Sequence, residues 1–222
     1  FSIGLIPTGS EDPFALRRQT LAVIAIMLNK GYDLPVSEII NEAFKNLKHV
    51  KKSAQAKEAV LKFFEQRLEP LFSAQGYSFD EIQSILSLAA EIPLKEIKKR
   101  LEALKGFKND SGYNDFITAI KRVKNIIPET RLPALKLRLL TEEPEKKLHE
   151  RLNATKAEVD SLLKEYRYAD ALRTLSGLTD TINNFFDNVL VMDKQDDIKF
   201  NRLALLRNAW AAASSIADFS KL

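Results

Sequence analysis

Apolar residues recur along this chain at three- and four-residue intervals with polar runs between them, a pattern that is helical almost throughout. Leu21, Ile24, Ala25 and Leu28 form the first such series. Asp12 and Pro13 stand where an N-cap and a first helical residue belong, and Gly31 where the helix should stop. A second helix is predicted over 35–50, with Ile39, Ile40, Ala43, Phe44 and Leu47 on one arc. A third, over 53–74, meets Pro70 near its end, which should kink or terminate it. Ser78 and Glu81 have the spacing of a capping box and open a fourth helix to residue 90. Pro93 opens a fifth, to residue 105. Six more helical segments follow at 113–127, 131–140, 142–165, 168–176, 179–190 and 197–217. No stretch alternates as a half-buried strand does, so the expected fold class is all-α. Residues 106–112 combine two glycines with polar turn formers, which makes them the best domain boundary.

Composition narrows the chemistry. With 222 residues the chain can bury one good core or two small ones. No apolar run reaches membrane-spanning length, and no signal segment stands at the start. The chain opens on Phe1 without an initiator Met, so it reads as a fragment of a longer protein. Absence of cysteine removes disulfides and thiolate metal sites and suits the cytoplasm. The two histidines, His49 and His149, have no nucleophile signature around them and no metal-ligand spacing. Phosphate-binding glycine loops are also missing. Catalysis by this chain alone is therefore not expected. A net charge of +4 permits a polyanionic partner without requiring one, so the placement of the charge matters more than its sum.

Several basic faces stand out, each with a plainer reading beside it. Lys45, Lys48, His49 and Lys52 fall on one helical stripe opposite an apolar arc, with Lys51 and Lys57 nearby; this is either a solvated face or a track for phosphates. In the 113–127 helix, Phe116, Ile120, Val123 and Ile127 make a buried seam. Lys121, Arg122 and Asn125 point the other way, with Lys124 at the edge. Arginine and lysine hold phosphates and asparagine reads a base edge, so RNA contact competes here with simple solvation. Arg173 either touches RNA or pairs with a neighbouring acid. Lys194, Lys199, Arg207 and Asn208 are outward enough to reach RNA. Arg202 projects between two apolar seams of the last helix, where a lone charge is costly. Asp187 is its candidate partner, which makes Arg202 mainly structural. Tyr166 and Tyr168 can stack bases, whereas Phe186 and Trp210 fall on apolar arcs and read as core.

The order Asp170-Ala171-Leu172-Arg173, then Phe185-Phe186-Asp187, then Asn201-Arg202-Leu203-Ala204-Leu205-Leu206-Arg207 resembles the DALR-type anticodon-binding domain. That module ends arginyl-tRNA synthetases and the β subunit of bacterial heterotetrameric glycyl-tRNA synthetase. The β subunit is the closer match. Its Pro-Thr-Gly-Ser-x-Asp-Pro-Phe-Ala-Leu-Arg-Arg segment is met at residues 7–18, its Lys-Arg-Val-x-Asn-Ile stretch at 121–126, and its terminal Ala-Asp-Phe-Ser-x-Leu at 217–222. Between 51 and 110 the likeness rests mainly on Phe63-Phe64 and Arg67-Leu68, with Gln66 in place of the usual acid. Arginyl enzymes lack the 7–18 segment. The final Ser220-Lys221-Leu222 also matches a peroxisomal address, which the bacterial likeness makes a coincidence.

The resemblance implies a helical connector at 1–107, following an HD-like domain whose metal-binding motif is absent here, and an anticodon-binding domain at 108–222. It implies that the full enzyme charges tRNA with glycine using ATP and Mg, with catalysis in the α subunit and no cofactor in this fragment. The implied partners are glycine tRNA, the α subunit and the rest of the β subunit, in the cytoplasm and away from membranes. Lys121, Arg122, Lys124, Asn125, Arg173, Lys194, Lys199 and Arg207 are the RNA-binding candidates. Glycine anticodons share two adjacent cytosines, and outward acid-plus-Arg pairs or Asn near Lys121–Asn125 or Lys194–Lys199 have the donors and acceptors to read them. The competing expectation is a helical scaffold that docks synthetase subunits and reads no RNA.

Overall fold

The computed structural model describes Asp12, residues 14–47 and residues 54–222. Among them there is no strand, only ten α-helices, two 3-10 turns and an isolated bridge between Pro35 and Pro93. The chain divides into two compact units, 1–101 and 102–222. The division falls inside a helix rather than in the glycine-bearing turn at 106–112.

The first unit holds α1 (Leu16–Lys30), α2 (Val36–Asn46), α3 (Ala54–Ser73), α4 (Phe79–Leu86) and the start of α5 (Leu94–Phe107). Asp12 does serve the start of α1, since its carboxylate accepts the backbone N–H groups of Arg17 and Arg18. The helix itself begins later than expected, after Ala15 turns the chain through a positive φ of 55°. Pro13 lies outside the described residues. Gly31 ends α1 as expected, at φ 63°, with its N–H on Leu28 and that of Tyr32 on Met27. α2 stops at Asn46 and not at residue 50, because Leu47 is already extended. Pro70 sits in the final turn of α3, and the helix ends at Ser73, soon after it, as expected. The Ser78–Glu81 capping box forms, but α4 ends at Leu86, short of residue 90, in a run of turns. Phe44, Phe63, Phe72, Ile82, Ile85, Leu94 and Ile97 are the core of this unit.

The second unit adds α6 (Tyr113–Ile126), α7 (Glu143–Lys164), α8 (Tyr168–Ser176), α9 (Thr179–Asn188) and α10 (Asp196–Ser214) to the end of α5. α7 packs against α8 and α9, and α6 lies between α9 and α10. Phe116, at the centre, meets Phe107 edge-on at 5.9 Å and Phe219 at 5.2 Å. Ala217 and Phe219 are fully buried, so the C-terminal tail is anchored in the core. The turn at 106–112 is tied to α8 by Asp110, which Arg173 reaches at 3.1 Å.

One expected helix does not form. Residues 131–140 run without regular structure apart from a 3-10 turn at Leu137–Leu139. Pro133 removes a donor and biases Leu132 away from the helical region. Side chains of α10 then take up the backbone groups that a helix would have used. Asn201 accepts the N–H of Lys136 at 2.7 Å and donates to its carbonyl at 3.1 Å. Arg207 donates to the carbonyls of Leu132 and Pro133 at 2.9 and 3.1 Å.

Because Phe116 joins the α5 end and the C-terminal tail, Phe116→Ala should cost the second unit about 3–5 kcal/mol. Urea unfolding of the variant against the parent protein measures this.

Candidate nucleic-acid interface

The outward face of α6 is built as its periodicity requires. Phe116, Ile120 and Val123 are buried, so Thr118, Arg122 and Asn125 are exposed and Lys121 is half-buried. Opposite them, α9 ends and residues 189–195 lead into α10. Phe186, Leu190 and Met192 from that side, with Lys121, Arg122 and Asn125 from α6, line an open groove of about 810 Å³. Leu190 is 67% and Met192 57% exposed, a high value for large apolar side chains on an otherwise well-packed unit. One wall of the groove is thus cationic and polar and the other apolar.

Arg122 joins the two walls. Its guanidinium lies 4.2 Å above the Phe186 ring and 3.8 Å from the Asp187 carboxylate. Both ends of that ion pair are more than half exposed, so it contributes little to stability. It leaves a planar cation, an acceptor and a ring together at the mouth of the groove. Such a set can stack an unpaired base and hydrogen-bond its edge.

Two expectations are corrected here. Phe186 is not core: Phe185 is fully buried, and its helical neighbour is rotated about 100° away from it, toward α6. Asp187 likewise faces α6 and does not pair with Arg202. The Arg202 guanidinium, 2% exposed, donates from Nε to Glu145 at 2.6 Å, from Nη1 to Asp193 at 3.0 Å and to the Leu190 carbonyl at 2.9 Å, and from Nη2 to Glu142. Glu145, 0% exposed, also accepts the N–H of Glu142 at 2.8 Å and so caps α7. Burial alone would lower the affinity of Arg202 for its proton. The hydrogen bond to Glu145 and the charges of Glu145, Glu142 and Asp193 outweigh this and hold its pKa above the ordinary arginine value. Arg202 is structural, as its position between apolar seams implied, and what it holds from behind is the groove wall at Leu190–Asp193.

The remaining candidates are scattered. Lys124 leaves the groove and sits 5.7 Å over Trp210, which is half-buried where a core residue was expected. Arg173 is paired with Asp110 and Asp170. Lys199 pairs with Asp196 and lies over Phe200. Lys194 is exposed in the loop before α10. Arg207 spends its fork on the 131–140 segment. Tyr168 is buried and closed to bases, whereas Tyr166 is exposed at a positive φ of 58°. Of the first unit's stripe, Lys45 pairs with Glu42 and Lys57 with Asn41; Lys48, His49, Lys51 and Lys52 lie outside the described residues. Among the described residues no group of three or more His, Cys, Asp or Glu is placed to hold a metal, and no helix is long and apolar enough to cross a membrane. The sequence reasoning passed over Phe186, Leu190 and Met192. The available signal was the adjacent Phe185-Phe186 pair, which one helix cannot bury on a single face.

Comparison with known proteins finds two families along the chain. Residues 115–213, which carry the groove, match the family described as the DALR anticodon binding domain. Residues 1–87 match the family described as the glycyl-tRNA synthetase beta subunit. Over the whole chain the sequence is 40% identical to the glycine–tRNA ligase beta subunit of Thermodesulfovibrio yellowstonii, 35% to that of Syntrophus aciditrophicus and 31% to that of Clostridioides difficile. The chain belongs to the glycyl-tRNA synthetase beta subunit family. It spans about a third, 32%, of the length of each of these relatives.

Removing Arg202 leaves Glu145 charged and buried. Arg202→Met should therefore cost about 3–5 kcal/mol. Pairing it with Glu145→Gln, which keeps an acceptor for the cap but drops the charge, should recover about half or more. Chemical denaturation of both variants tests the pair.

Proposed function

We propose that residues 108–222 grip the anticodon stem and loop of glycine tRNA, with residues 1–107 as a helical connector. The single observation that carries this reading is the groove between α6 and α9, where Lys121, Arg122 and Asn125 face Phe186, Leu190 and Met192. A splayed loop base needs an apolar or planar surface to lie on and polar groups for its edge, and the flanking phosphates need cations. The groove combines these requirements within one unit. Arg122 with Asp187 is an outward acid-plus-arginine pair, and Asn125 carries both a donor and an acceptor, which suits the amino, ring nitrogen and carbonyl groups of cytosine.

In this reading the chain contributes recognition and no chemistry. It forms part of the β subunit of a glycine–tRNA ligase acting in the cytoplasm. Charging, with its ATP and Mg, takes place on the partner α subunit. Lys194 and Tyr166, exposed on the same unit, are further candidates for the tRNA. Arg173, Lys199 and Arg207 have protein partners and contribute less to binding.

Binding of the full-length protein, with its α partner, to glycine tRNA and to the same tRNA with both anticodon cytosines replaced tests the proposal. The unaltered tRNA should bind tighter, with affinity falling steeply as salt rises. Lys121→Ala should lower the slope of log K against log salt by about one, and Arg122→Ala should also reduce the preference for the unaltered anticodon. Equal binding of the two tRNAs would overturn anticodon reading.

A further inference from the structure

We infer that residues 131–139 form a preset cationic arm that binds RNA phosphates beside the groove, a conclusion that rests on the RNA-binding reading above. The segment is irregular, yet its backbone is held at two points. Asn201, buried at 2% exposure, bonds both backbone groups of Lys136, and Arg207 holds the carbonyls of Leu132 and Pro133. Leu132 near one end and Leu140 just past the other are buried. What this fixed backbone presents is exposed: Arg131, Lys136, Arg138 and, at 62% exposure, Leu137.

The segment carries charge of one sign only. From 131 to 141 there are three cations and no acid. Elsewhere in the second unit Arg122, Lys156, Arg167, Arg173, Lys199 and Arg202 do meet a carboxylate. Among the described residues, none of the arm's three cations is in an ion pair. A buried asparagine and an arginine fork are thus used to hold a stretch whose own cations contact solvent. That arrangement removes the ordering cost of binding in advance. It also leaves the cations free for charge-assisted bonds without first breaking an internal pair.

Placement favours a nucleic-acid ligand over an acidic protein. The arm is anchored to Asn201 and the groove's apolar wall to Arg202, consecutive residues of α10. A polyanion that offers both bases and phosphates fits an apolar groove and a cationic strand held by one helix. The arm supplies affinity and register, and the groove supplies the choice of base.

The test compares the full-length protein, assembled with its α partner, with a variant carrying Arg131→Gln, Lys136→Gln and Arg138→Gln. Glycine tRNA and its anticodon-altered form are titrated over a series of salt concentrations. The variant should bind about tenfold or more weakly at low salt, and its slope of log K against log salt should fall by about two to three. The ratio of affinities for the two tRNAs should stay the same, and so should the melting temperature, because the three side chains are exposed. An unchanged slope in the variant, while the parent binds, overturns the arm alone. A changed ratio at constant slope assigns these residues to base reading and also overturns it. Loss of assembly with the α partner while RNA binding is kept makes the arm a protein interface instead. If the parent binds neither tRNA, the RNA reading itself fails.

Discussion

One guanidinium faces three carboxylates inside the second unit, and much of that unit's arrangement depends on it. Arg202 sits on α10 among Leu203, Leu205 and Leu206, where a charge without partners would cost several kcal/mol. Its partners come from two other places in the chain. Glu142 and Glu145 belong to the first turn of α7, and Asp193 with the Leu190 carbonyl belongs to the loop between α9 and α10. Satisfying one arginine therefore fixes the position of a helix end and of a loop together. Glu145 is committed twice, with Oε1 on Arg202 and Oε2 on the Glu142 N–H that caps α7.

Held by Leu190 and Asp193 at either end, Val191 and Met192 have little freedom to collapse into the groove. This explains how Leu190 and Met192 remain exposed. The groove is kept open from behind by an electrostatic cluster, and its own lining contributes little to stability. The Arg122–Asp187 contact on the front is solvated and loosely placed, as suits a pair that exchanges its partner for a ligand.

The run from Asn201 to Arg207 is easy to mistake for a binding motif because it carries two arginines and an asparagine. Its three polar side chains all point inward, to backbone or to carboxylates. The surfaces available to a ligand lie on the segments these residues hold, which are themselves plain in sequence: a short apolar loop at 189–192 and an irregular stretch at 131–139. On the proposed reading, recognition in this unit is built in two layers, with a rigid helix supplying anchors and the anchored segments making contact.

The sequence by itself determined the all-α class, the order and approximate limits of the ten α-helices, the Gly31 stop, the Ser78 cap and the outward face of α6, since these follow from periodicity and local hydrogen-bonding chemistry. It also identified Arg202 as a charge that must be paired. Tertiary structure decided which acids pair with it, because Glu145, 57 residues away, is a neighbour only after α7 docks on α10. The same reason explains the lost helix at 131–140, whose backbone partners Asn201 and Arg207 lie 65 to 75 residues on. Phe186 and Asp187 became groove residues for a like cause: α6 lies beside α9, and a single helix read alone does not say which of its faces meets solvent and which meets a cation. Local pattern settles what one segment can do, and only packing brings distant polar groups close enough to choose among them.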